Sequence, residues 1–429
     1  MNFQIRDIEI CDELNPLHGQ NKNILIKDGQ ILEISDEASE AEYIIDGKGL
    51  KLSPGWFDMR AFFADPGFEH KEDIMSGCEA AAAGGFTGVA LLPNTQPVVQ
   101  SKNEISYIRS RNFNKLIQLY PYGAVTQNTK GEELTEMMDM HKAGAIAFTD
   151  GEKPLWHTDI LLKTLQYLQQ FNGLLINKPE DKLLTQYGNM NEGISSTMLG
   201  LKGMPRLAEE IMIMRDLKIL EYAGGKIHFS NISSAGSVNL IKAAKDKGLD
   251  VTCDVAAHQL VFDDNILSSF DTNYKVNPPF REKVDIIALI EGLKDDTIDV
   301  IVSSHLPQDE ENKKLEFDLA EFGIIGLQTV LPILTQLVDK IVISKLLPKI
   351  TTNPRKILNL PQPEIKPGQQ ANLTIFDSHR EWILNDNTNR SKSKNSPFFN
   401  QKLTGKVLSV FNNNKYWMDE ALIYRNEQT

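Results

Sequence analysis

From Leu52 to about Leu360, short apolar runs alternate with longer helix-compatible stretches. The runs are LSPGWFDM, FTGVALLPNT, LIQLYPYGAV, AGAIAFTDG, GLLINKP, KIHFSNISS, DVTCDVAAH and DVIVSSHL. Near-continuous apolar strands separated by helices indicate a parallel sheet covered on both faces. Eight such units indicate a (β/α)8 barrel. The two ends of the chain carry a different pattern. FQIRDIEIC, NILIKDGQILEI and YIIDGKGLKL near the start, and ANLTIFDS, GKVLSVFNNNKYWMD and EALIYR near the end, are β-rich and punctuated by Gly and Asn turns. The predicted fold is therefore α/β. A TIM barrel spans 53–360, and a small composite β-sandwich domain forms from 1–52 together with 361–429. The polar stretch NDNTNRSKSKNSP (385–397) is expected to be a loop.

Composition narrows the function classes. The chain has 429 residues and a formal net charge of -13, with the charges dispersed along it. A nucleic-acid binder would be expected to show a basic face instead. The three cysteines, Cys11, Cys78 and Cys253, have no metal-knuckle spacing, and an odd number gives no disulfide framework. Reduced thiols and a cytoplasmic location are the simplest expectation. The opening MNFQIRDIEICDEL lacks a signal-peptide core, and no apolar run reaches the ~20 residues that cross a bilayer.

In a TIM barrel the working residues stand at the C-terminal ends of the strands. Read in order, those ends carry Asp58 and Arg60, Asn94, Asp150, Lys178, Asn231, His258 with Asn277 after it, and Ser304 with His305. This is a polar mouth. It is also poor in metal ligands, because a catalytic zinc takes three protein donors. The candidates, Asp150, His258 and His305, lie on separate strands, and Asp150 before a glycine is equally a turn or cap residue.

The segments PGWFDMRAFFADPG (54–67), AAAAGGFTGVALLPNTQP (80–97), AFTDG (147–151), MNEG (190–193), NPPFR (277–281), FGIIGLQT (322–329), NPRKILNL (353–360), PGQQANLTIFD (367–377) and SKSKNSPFFNQKLTGKV (391–407) occur in an order that resembles dihydroorotase. That amidohydrolase interconverts carbamoyl aspartate and dihydroorotate in pyrimidine synthesis. The resemblance implies the barrel and composite domain already read. It also implies positions for two zinc ions. The strand-1 histidine pair falls on Arg60 and Phe62, and the strand-4 aspartate on Asp150. The strand-5 and strand-6 histidines fall on Lys178 and Asn231, and the proton-shuttling strand-8 aspartate on Ser304. Only Asp150 keeps its ligand type. The substrate-binding arginine falls on Ala64 and a strand-8 histidine on Gln308. Asn94, His258, Asn277 and His305 remain as pocket residues.

The resemblance therefore implies a member without an intact catalytic set and without a metal cofactor. Its role would be that of a non-catalytic partner of aspartate carbamoyltransferase, and a homo-oligomer is expected. The rival reading is an active dihydroorotase, or a related cyclic amidohydrolase, with a rearranged zinc site. A third is a small-molecule sensor using Asn94, Asn277 and His305. Arg60 and Lys178 bring positive charge to the place of the metal. They are expected to pair with Asp150 and Asp58, since buried charges are paired; the alternative is that they reach into a wet cavity. Asn94, Asp150, Lys178, Asn231, His258, Asn277 and Ser304 are expected to face one cavity.

Overall fold

The computed structural model describes residues 2–112, 116–419, 422 and 424–425. Each apolar run supplies one barrel strand. Trp56–Ala61, Phe86–Leu91 and Gln118–Pro121 pair in parallel. Leu175–Asn177, Ile227–Phe229, Val251–Ala256 and Val300–Val302 form a second parallel set. Strand 4 is the shortest. Phe148 alone bridges Gly123 on one side and Leu175 on the other. Its N–H donates to the Leu174 carbonyl at 3.1 Å, and its own carbonyl accepts from Ile176 at 2.9 Å. The ring closes where His305 bridges Ala61, with the Phe62 N–H donating to the His305 carbonyl at 2.9 Å.

Helices follow the strands and bury one face each. The first, Ile74–Ala83, starts at an Asp73–Ser76 capping box, and the second, Lys102–Ser110, at a Ser101–Glu104 one. Both satisfy backbone donors that a helix start leaves without partners. Among the described residues no helix is long and apolar enough to cross a membrane.

The chain ends interleave in one sheet. Lys415–Met418, Lys402–Asn412, Leu373–Ile383, Lys51–Pro54, Asn2–Ile10, Asn21–Lys27 and Gln30–Ser35 are neighbours in that order. Leu373 lies opposite Pro54, so the C-terminal strands pair directly with the N-terminal ones. Its own apolar core gathers around Phe3, Ile5, Ile24, Leu52, Leu373 and Phe411.

Two expected boundaries shift. Lys51–Pro54 belongs to the sheet and Trp56 opens the barrel, so the junction is Gly55 rather than residue 52. The loop 385–401 between two strands of that sheet does not stay with the β-domain either. Asn395 accepts from the Gln308 N–H at 3.0 Å and donates to the Leu306 carbonyl at 3.0 Å, which lays this loop on the barrel rim.

The junction has little room. A Cβ on Gly55 would lie 2.0 Å from Asn372 Oδ1 and 2.4 Å from Thr87 Oγ1. Beneath it, Arg355 donates to the Gly55 and Thr351 carbonyls at 2.8 and 2.9 Å and to Thr87 Oγ1 at 3.2 Å. Thr87 passes the link on to Asn372 at 2.7 Å. Burial pushes the Arg355 pKa down to about 10. Arg355→Met should therefore remove the side-chain donor to the buried Gly55 and Thr351 carbonyls and cost about 2–4 kcal/mol. Urea unfolding measures this, and a loss below about 1 kcal/mol would show that water replaces the arginine.

Candidate functional site at the barrel mouth

Arg60 ends strand 1 with 1% of its surface exposed. A guanidinium so deep needs acceptors on all its N–H groups. Its Nη1 donates to Ser230 Oγ at 3.1 Å and its Nη2 meets Glu152 Oε1 at 2.6 Å. Glu152 comes from the turn after strand 4. Its other oxygen lies 3.6 Å from Lys178 Nζ, which also lies 3.4 Å from Glu180 Oε2. Glu180 in turn accepts from Thr185 Oγ1 at 2.7 Å and Asn277 Nδ2 at 3.0 Å. Two cations and two carboxylates thus alternate across the mouth, joining strands 1, 4 and 5 to the loop after strand 7.

The backbone is shaped to deliver Glu152 inward. Asn94 donates to the Asp150 carbonyl at 3.0 Å and accepts from the Glu152 N–H at 2.9 Å. Gly151 turns there at φ +67°, and a Cβ on it would fall 1.9 Å from Asn94 Oδ1. Burial alone would raise the Glu152 and Glu180 pKa values. The neighbouring cations, Arg60 and Lys178 for Glu152 and Lys178 for Glu180, outweigh it and hold both carboxyls below their ordinary value.

The expected pairing of the cations with Asp150 and Asp58 is therefore corrected to Glu152 and Glu180. Asp150 spends its oxygens on the Val125 and Thr126 N–H groups, at 3.0 and 2.9 Å, and on the Thr126 hydroxyl. Burial pushes its pKa up to about 6. Asp58 accepts from the Ser303 N–H at 3.0 Å and from the Ser303 hydroxyl, and burial pushes its pKa up to about 7. Among the described residues no ion pair joins either aspartate to Arg60 or Lys178.

The residues expected at the mouth take different parts in it. Lys178, Asn231 and Asn277 share a void of only about 10 Å³, enough for one water. Asn94 is a turn clamp, and Asp150 a loop anchor. His258 is buried edge-on to Phe280 with ring centroids 5.7 Å apart, and burial lowers its pKa to about 3. His305 turns away from the centre toward Glu72, 3.3 Å from Nε2, while the Gly326 N–H donates to Nδ1 at 3.2 Å. Phe62 packs in an apolar cluster beside Phe68. Gln308 accepts from Lys71 Nζ at 2.7 Å, and Ala64 is buried.

Asn231 and Ser304 do meet, Nδ2 to Oγ at 2.9 Å. Both backbones are left-handed, at φ +57° and +47°. The Asn231 N–H is held by Asp254 Oδ1 at 2.6 Å, and Asp254 Oδ2 also binds His228 Nε2 at 2.9 Å. Asn231 Oδ1 and Arg60 Nε are buried without a hydrogen-bond partner among the described residues.

These residues do not fit a zinc ion. Among the described residues no three His, Cys, Asp or Glu side chains gather as a metal-binding group, and a zinc site needs three or four such donors. Arginine and protonated lysine have no lone pair to give. Sequence reasoning missed Glu152 and left Glu180 without a role. The available signal was charge balance: two cations at strand ends call for two nearby acids, and Glu152 stands two residues past Asp150.

Comparison with known proteins agrees with this architecture. A protein-family model described as "Dihydro-orotase-like" matches residues 49–237. The dihydroorotase of Syntrophus aciditrophicus is 39% identical over 95% of this chain and 97% of its own length. That of Pelotomaculum thermopropionicum is 41% identical over 91% and 93%. Among solved structures, an L-hydantoinase (dihydropyrimidinase) from Arthrobacter aurescens matches with TM-score 0.85 and 22% identity, covering 97% of this chain and 96% of that one. At that identity the likeness speaks for the fold.

The ion-pair chain predicts coupling. Lys178→Met should cost about 2–3 kcal/mol, less than the 3–5 typical of breaking a fully buried pair, because Glu152 keeps some solvent access. Adding Glu152→Gln should recover part of that cost, whereas adding Asp150→Asn should be additive. A double-mutant cycle by urea unfolding reads both, and coupling to Asp150 instead of Glu152 would refute the pairing.

Asp58 predicts a pH dependence of definite sign. Its folded pKa lies above the unfolded value, so the folded state takes up a proton the unfolded chain does not. Relative to Asp58→Asn, the wild type should gain stability as pH falls from about 7 to about 4. Urea midpoints at both ends of that range test it, and a constant difference between the two proteins would rule it out.

Proposed function

The chain belongs to the dihydroorotase family, and from that premise we propose that it is a non-catalytic member whose barrel mouth serves the fold rather than turnover. One observation carries this reading: Arg60 and Lys178 are locked onto Glu152 in the middle of the mouth, at 2.6 and 3.6 Å. Opening or closing a cyclic amide needs an activated water and a group that moves a proton. Metal-bound water is one source of hydroxide near neutral pH, and this donor set gives the metal no seat. The acids and the histidine at the mouth are instead engaged with protein partners, Asp58 with the Ser303 N–H and hydroxyl among them. Glu152 and Glu180 are paired with cations that hold them ionised and weakly basic. Asp150 is occupied by backbone donors, and His305 by Glu72. Ser304 carries a hydroxyl where a proton-shuttling carboxylate would stand.

With the mouth's charged groups paired in this way, the outer surface is left for biological work. The dihydroorotase resemblance suggests aspartate carbamoyltransferase as the partner. The names of the relatives favour a second reading, an active dihydroorotase with a rearranged site, and experiment separates the two. With and without added zinc, the purified chain should convert carbamoyl aspartate and dihydroorotate no faster than buffer. The combined variant Arg60→His, Phe62→His, Lys178→His, Asn231→His and Ser304→Asp should bind zinc where the wild type does not. Stoichiometric zinc in the wild type, with turnover abolished by Asp150→Ala, would overturn the proposal. Sedimentation of the chain mixed with the aspartate carbamoyltransferase of the same organism tests the partnership, and independent migration would reject it.

A further inference from the structure

We propose that the loop 309–323 after strand 8 is a pH-sensitive latch on the rim of the mouth, closed by Lys313 and opened by falling pH. The chain leaves the rim at Leu306 and returns at Ile324, where the Leu306 N–H donates to the Ile324 carbonyl at 2.8 Å. In between, the loop folds around two lysines, Lys313 and Lys275, which keep only 5% and 2% of their surface exposed. Lys313 Nζ donates to the Glu321 and Gly323 carbonyls at 2.9 and 3.2 Å and so closes the neck of the loop. Lys275, from the loop after strand 7, reaches in to donate to the Asp318 carbonyl at 3.0 Å, with the Phe317 and Phe322 ring centroids 5.5 and 4.8 Å from its Nζ. The two lysines meet at Gly323, whose N–H donates to the Lys275 carbonyl at 3.0 Å.

Neither lysine has the counter-charge that Arg60 and Lys178 find in Glu152. Both amines meet backbone carbonyls, and among the described residues neither forms an ion pair with a carboxylate. The charged groups facing Lys313 are Lys275 and Asp271 from the loop after strand 7 and Glu321 from its own loop. Lys275 faces Asp318 and Glu321. Asp271 is engaged with the Asn273 N–H at 2.9 Å, and Asp318 and Glu321 are exposed to water. Carbonyl groups solvate a buried cation without neutralising it. A neutral amine keeps two N–H groups, as many as the Glu321 and Gly323 carbonyls use. Burial, with the nearby Lys275 charge acting in the same direction, lowers the Lys313 pKa to about 7.

Opening the loop puts Lys313 into water, where it regains the ordinary lysine value of 10.5. Opening therefore takes up a proton between about pH 7 and pH 10.5. Closure is strengthened as pH rises through that window and weakened as pH falls through it; below pH 7 both states hold the proton and the balance stays level. From pH 7.5 to pH 9 the opening constant should fall about twentyfold. The latch borders the charged network of the mouth, because Lys275 stands two residues before Asn277, which donates to Glu180.

Hydrogen exchange of the full chain, read by mass spectrometry at pH 7.5 and pH 9, tests the latch. Elsewhere in the chain exchange should rise with hydroxide, about tenfold per pH unit. Opening the loop breaks the bonds from the Ala320 N–H to the Glu316 carbonyl at 2.9 Å and from the Glu321 N–H to the Asn312 carbonyl at 3.0 Å. Peptides spanning 311–323 should therefore exchange at almost the same rate at both pH values, the falling opening constant offsetting the rising hydroxide. Lys313→Met should restore the hydroxide dependence there, while Lys314→Met, at the exposed neighbouring position, should keep the level profile. Carbon NMR of lysines labelled at Cε gives a readout on the unmodified chain, in which one lysine should titrate near pH 7. A wild-type loop that exchanges in step with the rest of the chain, a level profile that survives Lys313→Met, or a wild type with no lysine titrating below about pH 9 would overturn the proposal. The inference does not depend on whether the mouth is catalytic.

Discussion

A cation taken out of water must bring its counter-charge with it, and the barrel mouth is organised by that requirement. Arg60 is fixed by strand 1 and Lys178 by strand 5, so neither can retreat to solvent. The fold answers by bending the strand-4 turn inward until Glu152 stands between them. The turn can do this because Gly151 takes a left-handed backbone and Asn94 holds both sides of it. Glu180 completes the neutralisation and passes the network to Asn277. Asn277 thereby joins the network to the loop after strand 7.

The aspartates of the barrel follow a different rule. Asp58, Asp150 and Asp254 have no cation within ion-pair distance among the described residues, apart from the His228 ring on Asp254. Each instead accepts from backbone N–H groups and hydroxyls of a neighbouring strand end. They act as staples between adjacent strands: Asp58 ties strand 1 to strand 8, Asp254 ties strand 7 to strand 6, and Asp150 ties strand 4 to the loop after strand 3. Burial raises the Asp58 and Asp150 pKa values because hydrogen bonds compensate desolvation only in part. The charged network and the stapling aspartates are thus separate systems, which is why neither Asp58 nor Asp150 pairs with the arginine beside it in the mouth.

The barrel was legible because strands buried on both faces leave an uninterrupted apolar signal, and each run became a strand. The ends were legible because their alternation differs from that signal. The junction was misplaced by a few residues, since LSPGW reads as one apolar run, while the close approach of Asn372 and Thr87 to Gly55 is a tertiary fact. The loop after Leu384 was legible as a loop but not in its destination, because polar composition does not say which surface Asn395 and Ser391 will bind. At the site, the register along the strands puts Arg60, Lys178, Asn231 and Ser304 at strand ends, where Arg60 and Lys178 meet Glu152 and Asn231 meets Ser304. Their partners were not legible. Whether a side chain past a strand end turns inward depends on a single dihedral, such as that of Gly151, and on a clamp fifty-eight residues away in sequence, Asn94 to Glu152.

Asp150 has a structural duty of its own. Removing the Asp150 carboxylate would strip the Val125 and Thr126 N–H groups and the Thr126 hydroxyl of their acceptor in a buried loop, and each such orphan costs about 1–3 kcal/mol. Asn231 has a comparable duty suited to asparagine. Its backbone is left-handed, a conformation Asn tolerates better than most residues, and its amide reaches Ser304. Phe62 fills apolar space that a metal-free histidine would leave polar and unpaired. Asp150, Asn231 and Phe62 are thus each accounted for by what they do for the strand end that carries them. Under those local demands the cations at the mouth are held by Glu152 and Glu180, and the aspartates by the strand ends beside them.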